Sequence, residues 1–233
     1  MERTIPIVLI PGLACSPRIY APIIPALWRF GPVMVANHLR DDSVATIARR
    51  ILSEAPPRFA LAGHSMGGYI AFEIMRQAPE RVTRLALMNT QARPDTPEAT
   101  ARRRGQVERV QRGEYSAVLD ELFSGFVHPS RREDVALRRL VHDMGDDVGT
   151  DAFIRQQTAI MARPDSKPTL AAIKCPTLVL TADQDNTISN SLSAEMAEGI
   201  AGAKLVILPE CGHLPQVERS QATADALSEW LQN

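Results

Sequence analysis

Apolar residues fall in short, nearly continuous runs at 5–10, 33–36, 59–62, 85–88, 177–180 and 205–208, dominated by Val, Ile and Leu. Runs of that length and uniformity are what strands buried on both faces of a parallel sheet look like. Between them the period changes. Val44, Ile47, Ala48, Ile51 and Leu52 recur at helical spacing, after a capping Ser43 and before Pro56 and Pro57. Further helices are expected over 66–77, 189–200 and 216–231. Strand alternating with helix predicts an α/β domain on an open, mostly parallel, doubly wound sheet of about six strands.

The segment between Thr90 and Cys175 breaks the alternation. It has no strand pattern, and its apolar surfaces sit in LDELFSGFV (119–127) and DAFIRQQTAIM (151–161), both at helical period. So long a stretch is rarely a bare loop in a compact domain. Residues 91–175 are therefore expected to form an inserted cap of short helices, with 1–90 and 176–233 making the core; the alternative is that these helices belong to the main core. No internal repeat or low-complexity tract is visible.

Composition narrows the function. A chain of 233 residues with 45% hydrophobic content can build one substantial core. A formal net charge of −1 gives no electrostatic case for nucleic acid or an acidic membrane, so a small neutral molecule is the expected partner. Arg102, Arg103, Arg104, Arg109 and Arg112 are interspersed with Glu98, Glu108 and Glu114, which reads as a solvated helix face. Cys15, Cys175 and Cys211 show no Cys-x-x-Cys spacing, so neither a disulfide framework nor a zinc site is expected, and a reducing cytoplasm suits them. The run IPIVLIPGLAC (5–15) is interrupted by prolines and follows Glu2 where a leader would be basic, so it is expected to stay in the mature fold.

In FALAGHSMGGYIAFEIM (59–75) a buried strand pattern turns directly into a helical one at Gly63-His64-Ser65-Met66-Gly67. A Gly-x-Ser-x-Gly sequence between strand and helix is a nucleophile elbow. The glycines permit close approach while Ser65 adopts a strained backbone that lifts its Oγ above the sheet. A serine hydroxyl is a weak nucleophile without an adjacent base held by a third group. Among the histidines, His64 reads as a packing residue, and His128 and His142 as surface residues of the insert. His38 lines a pocket, meets solvent, or joins Asp41 and Asp42 at a metal. His213, in KLVILPECGH after the last strand run, sits on a loop able to reach over the sheet edge. Asp185, in TLVLTADQDNTIS, lies far enough past its strand to reach His213; Asp183 competes, more in the manner of a turn residue bonding its own backbone. Asn89, at the preceding strand end, cannot supply a carboxylate.

With IPGLACS, GHSMGG, PTLVLTADQD and CGHLPQVE in this order, the chain resembles the α/β-hydrolase superfamily nearly end to end, in its compact, capped branch of esterases and lactone hydrolases. Ser65, Asp185 and His213 match the family's triad in chain order. The resemblance implies an oxyanion hole from the backbone N–H groups of Leu13 and Met66, a cap shaping the substrate pocket, and no cofactor or metal. Two departures stand out: Pro11-Gly12 where the family often has His-Gly, and Ala182 where it commonly has glycine. The family's leading antiparallel hairpin is expected to be absent. The implied activity is hydrolysis of small carboxylic esters or lactones through an acyl-enzyme on Ser65. A carbon–carbon hydrolase or lyase with the same triad, favoured by a pocket cation such as Arg40, Arg93 or Arg163, and a weakly catalytic ligand receptor are the alternatives.

Overall fold

The computed structural model describes residues 4–232; Glu2 lies outside them. Six strands, β1 (Ile7–Ile10), β2 (Val33–Val35), β3 (Phe59–His64), β4 (Val82–Met88), β5 (Thr177–Ala182) and β6 (Lys204–Leu208), form one sheet in the order β2-β1-β3-β4-β5-β6. Every pair is parallel, with Ile7 opposite Val33 on one side and Ala60 on the other. The chain winds outward from β1 in both directions, so the ends of β1 and β3 flank the switch point where open α/β sheets hold their ligands.

Eleven α-helices are described, with three short 3-10 helices at Pro17–Tyr20, Pro79–Arg81 and Pro129–Arg131: α1 (Ile24–Leu27), α2 (Val44–Glu54), α3 (Met66–Gln77), α4 (Pro97–Gln111), α5 (Tyr115–Phe126), α6 (Val135–Val148), α7 (Thr150–Met161), α8 (Lys167–Leu170), α9 (Asn190–Gly199), α10 (Pro215–Glu218) and α11 (Ser220–Gln232). Five of them, α4 to α8, run between β4 and β5. Ser43 caps α2 as its sequence suggests, accepting from the Thr46 N–H at 3.2 Å.

Two expectations need correction. The strands are not all buried on both faces: β1, β3 and β5 are fully enclosed, but the edge strand β6 leaves Leu205 36% and Ile207 50% exposed. An edge strand has a neighbour on one side only, which apolarity along the chain does not encode. Nor is 216–231 one helix. It breaks at Arg219, whose Nε donates to the Pro209 and Glu210 carbonyls, while the Glu218 carboxylate turns back to the 212–214 loop.

Among the described residues no helix is long and apolar enough to cross a membrane.

Candidate active site

β3 runs two residues further than its apolar pattern, because Gly63 and His64 still pair with Leu87 and Met88 of β4. α3 then starts at Met66, leaving Ser65 as the whole connection, with φ 52° and ψ −115°. That positive φ costs about 1–3 kcal/mol for a residue with a side chain. It is held by its neighbours: the Ser65 N–H donates to Met88 O at 2.9 Å, and Ser65 O accepts from the Gly68 N–H at 2.9 Å and Thr90 Oγ1 at 2.8 Å. The flanking glycines are sterically required. A Cβ on Gly63 would lie 2.3 Å from Gly67 O, and one on Gly67 2.1 Å from Ile10 O.

The hydroxyl raised by this turn meets His213. Ser65 Oγ lies 2.9 Å from His213 Nε2, and His213 Nδ1 lies 2.8 Å from Asp185 Oδ2. With a proton on Nδ1, the ring donates to Asp185 and accepts from the serine. The side chains of His213 and Asp185 are only 1% and 0% exposed. Burial pushes the Asp185 carboxyl up, but the His213 charge and hydrogen bonds from His213, Asn89 and the Ile188 N–H outweigh it, so its pKa lies below the ordinary carboxylate value. Its two oxygens are fully engaged: Asn89 Nδ2 donates to Oδ2 at 2.8 Å, and the Thr187 and Ile188 N–H groups donate to Oδ1 at 2.8 and 3.0 Å. The competing carboxylate, Asp183, points elsewhere, accepting from the Cys211 N–H at 3.1 Å. It braces the β6 exit rather than only its own turn.

His213 is itself held from three directions. Its backbone N–H donates to Phe126 O at the end of α5, and its carbonyl meets His64 Nε2 at 2.8 Å. His64 is thus more than packing: burial, with the His213 charge, drops its pKa to about 3, so it supports the loop as a neutral ring. Glu218 accepts from the Gly212 and Leu214 N–H groups at 3.1 and 3.2 Å and from the His128 N–H at 2.7 Å, fastening both sides of His213 to the segment after α5. Burial raises the Glu218 carboxyl above its ordinary pKa.

The turn after β1 supplies the opposite wall. Ala14 has φ 54°, and its N–H donates to Gln156 Oε1, on α7, at 3.0 Å. His38 Nε2 lies 3.0 Å from Gly12 O and 2.9 Å from Gln156 Nε2. Because the Ala14 N–H fixes Oε1 as acceptor, Gln156 presents its NH₂ to the ring. The neutral ring therefore either donates to Gly12 or accepts from Gln156, and burial keeps it neutral by dropping its pKa to about 4. His38 thus does not face Asp41, which pairs with Arg50, and among the described residues no group of three or more His, Cys, Asp or Glu side chains is placed to hold a metal. The Leu13 and Met66 amides donate to no backbone carbonyl among the described residues outside helix and strand ladders, and Leu13 shares the cavity wall with Ser65.

Ser65 opens into a cavity of about 390 Å³ whose walls include Leu13, Tyr69, Leu122, Phe126 and Ile160. A larger hollow of about 700 Å³ lies at the other end of the sheet, beside Ile5, Phe30 and Arg84, away from these groups. The arginine tract departs from a purely solvated face: Arg102 and Arg103 line the Ser65 cavity, and Arg109 and Arg112 pair with Glu114. None of Arg40, Arg93 and Arg163 lines it; Arg93 pairs with Glu195, and Arg163 is buried against Asp95. Asn89, Gln156 and Glu218 are functional candidates that pattern alone did not single out as supports.

Known proteins resemble this chain in sequence and in fold. The chain is 30% identical over 182 residues to a Klebsiella pneumoniae protein named "Putative carbamate hydrolase RutD", an alignment spanning 73% of this chain and 66%, just under two thirds, of that protein. It is 26% identical over 202 residues to the 2-hydroxy-6-oxononadienedioate/2-hydroxy-6-oxononatrienedioate hydrolase of Escherichia coli, spanning 84% and 70%. A thermophilic esterase from Thermogutta terrifontis, solved with malate bound, superposes with a TM-score of 0.89 at 26% identity, covering 100% of this chain and 91% of that one. The alpha/beta hydrolase family model matches residues 7–226, and the chain belongs to that family of hydrolases.

Proposed function

We propose that this hydrolase cleaves small carboxylic esters or lactones, with Ser65 as nucleophile, His213 as general base and acid, and Asp185 as the group that orients and stabilises the imidazolium. The observation that carries the reading is the hydrogen-bonded line Asp185–His213–Ser65, at 2.8 and 2.9 Å, ending in a cavity. Ser65 Oγ bonds to the ester carbonyl carbon as its proton passes to His213 Nε2. The Leu13 and Met66 amides receive the oxyanion, the latter at the N-terminus of α3, where the helix dipole adds to the hydrogen bonds. Collapse expels the alcohol, which takes the proton from His213, and leaves an acyl-enzyme. Water then repeats the sequence with His213 as base, releasing the acid and restoring Ser65. This cycle calls on no cofactor or metal.

Residues 91–175 act in this reading as a cap: α4, α5 and α7 contribute Gln106, Leu122 and Ile160 to the cavity wall. A cytoplasmic setting is consistent with free Cys15, Cys175 and Cys211.

The named activity of the Escherichia coli relative supports carbon–carbon bond hydrolysis as a second reading, and that of the Klebsiella relative makes carbamates worth adding to the esters tested. A panel of 4-nitrophenyl esters of increasing acyl length, run against wild type and Ser65→Ala, tests the proposal. Turnover that disappears in Ser65→Ala is expected. Absence of turnover across the panel, with cleavage of a vinylogous 1,5-diketone instead, would replace it with the second reading.

A further inference from the structure

The cavity over Ser65 is uneven in charge. α4 passes along one wall and turns Arg102, Arg103 and Gln106 toward it, at spacings of one and four residues. Arg103 Nε donates to Asp95 Oδ2 at 3.1 Å, and its Nη1 to Gln157 Oε1 at 2.9 Å. Asp95 is shared, since Arg163 Nη1 donates to its Oδ1 at 2.7 Å. Two guanidinium groups thus meet one carboxylate. Glu121, the acidic side chain of the cavity wall, is occupied from the other side: Arg109 Nη1 donates to it at 2.6 Å and Gln106 Nε2 at 3.1 Å. The Arg102 side chain has no ion pair or hydrogen bond among the described residues. Its guanidinium is the uncompensated charge of the cavity. Burial lowers the pKa of Arg103, with Tyr69 and Asp95 opposing the shift and Arg163 and Arg102 adding smaller contributions to it.

We infer that the cavity takes a substrate bearing a carboxylate remote from the carbonyl that meets Ser65, with Arg102 receiving that carboxylate and Arg103 adding positive charge behind it. A guanidinium presents paired N–H donors in the geometry of a carboxylate's two oxygens, so an unpaired arginine on a cavity wall selects this group over a neutral chain end. The whole-chain charge of −1 hides this preference, because acidic residues elsewhere offset the local excess. The inference rests on the ester-hydrolase reading for the position of the reacting carbonyl, and on the charge inventory for the carboxylate.

The test compares monoethyl esters of succinic, glutaric, adipic and pimelic acids with ethyl esters of chain-matched monocarboxylic acids, following ethanol release. For at least one length, wild-type kcat/KM for the carboxylate member should exceed that of its neutral partner by about tenfold or more, and the ratio should shrink as ionic strength rises. Arg102→Gln should bring the ratio close to one, and Arg102→Lys should restore part of it. Because Arg102 is exposed and unpaired, its variants should melt with wild type, which checks that folding is not the cause. Ratios near one at every length, or a wild-type ratio that survives in Arg102→Gln, overturn the inference. If no ester is turned over, the reaction assignment fails and the anion site is read alone by calorimetric titration of glutarate and adipate into Ser65→Ala. Binding lost on adding Arg102→Gln then supports the site, and no binding overturns it.

Discussion

Gln156 Oε1 accepts the Ala14 N–H at 3.0 Å across 142 residues of sequence, tying α7 to the turn after β1. That turn carries Leu13, one of the two proposed oxyanion donors, and Ala14 holds a positive φ that needs outside support. Gln156→Leu keeps most of the volume but leaves a buried N–H unpaired, at a cost of about 1–3 kcal/mol. The expected outcome is a kcat about 10–100-fold lower with KM changed less, together with a lower urea midpoint. A lower midpoint with unchanged kcat would show that Gln156 only supports the fold.

Ser65→Ala removes the hydroxyl from a turn whose conformation is fixed by backbone bonds to Met88 and by Thr90. Ester turnover should fall by several orders of magnitude, leaving on the order of 10³-fold or less over water from binding and the oxyanion donors. Stability should hold or rise slightly. Steady-state kinetics paired with thermal melting checks both, and near-wild-type turnover would refute the nucleophile.

The two carboxylates of the β5 exit separate cleanly by geometry. Asp185→Asn loses the charge beside His213 Nδ1 and invites the wrong tautomer, so kcat should drop about 10⁴-fold. Asp183→Asn keeps an oxygen able to accept the Cys211 N–H and should cost little. Measured kcat values for the pair decide between them; the reverse order would move the proposed acid to Asp183.

The elbow, the six-stranded sheet and the three residues in line at Ser65 were legible because each is written in a short stretch: a strand pattern, a glycine spacing, a polar residue just past a strand end. The supports were not. Asn89 reaches Asp185 across 96 residues, and Gln156 reaches His38 across 118. The first depends on β4 and β5 lying side by side and the second on how the α4–α8 segment seats on the sheet, neither of which a local period records. For the same reason the sequence left His38 open between a pocket, solvent and a metal with Asp41 and Asp42, and did not show that α4 brings exposed Arg102 and half-buried Arg103 to the cavity. Edge exposure of Leu205 and Ile207 escaped for a related reason, since strand order is a property of the whole sheet.

Burial of neutral His38 and His64 ties stability to pH. Both pKa values fall on folding, to about 4 and about 3, from about 6.5 in the unfolded chain. Below pH 6.5 the unfolded chain therefore binds protons that the folded chain refuses, so stability is full above that value and declines as pH falls. Each histidine contributes a slope of about 1.4 kcal/mol per pH unit once pH is well below 6.5, until its folded pKa is reached. Glu218, whose carboxyl is raised on folding, acts in the opposite sense near the acid end of this window. Comparing variants removes that background: urea unfolding from pH 7 to pH 4.5 should show a slope shallower by about one proton in His38→Gln than in wild type. That variant should start from lower stability at pH 7, where it gives up packing and the Gly12 contact, and the two curves should converge toward acid. Parallel curves across the range would mean that His38 is protonated in the folded chain, and that the ring at the back of the Gly12 turn carries a charge there.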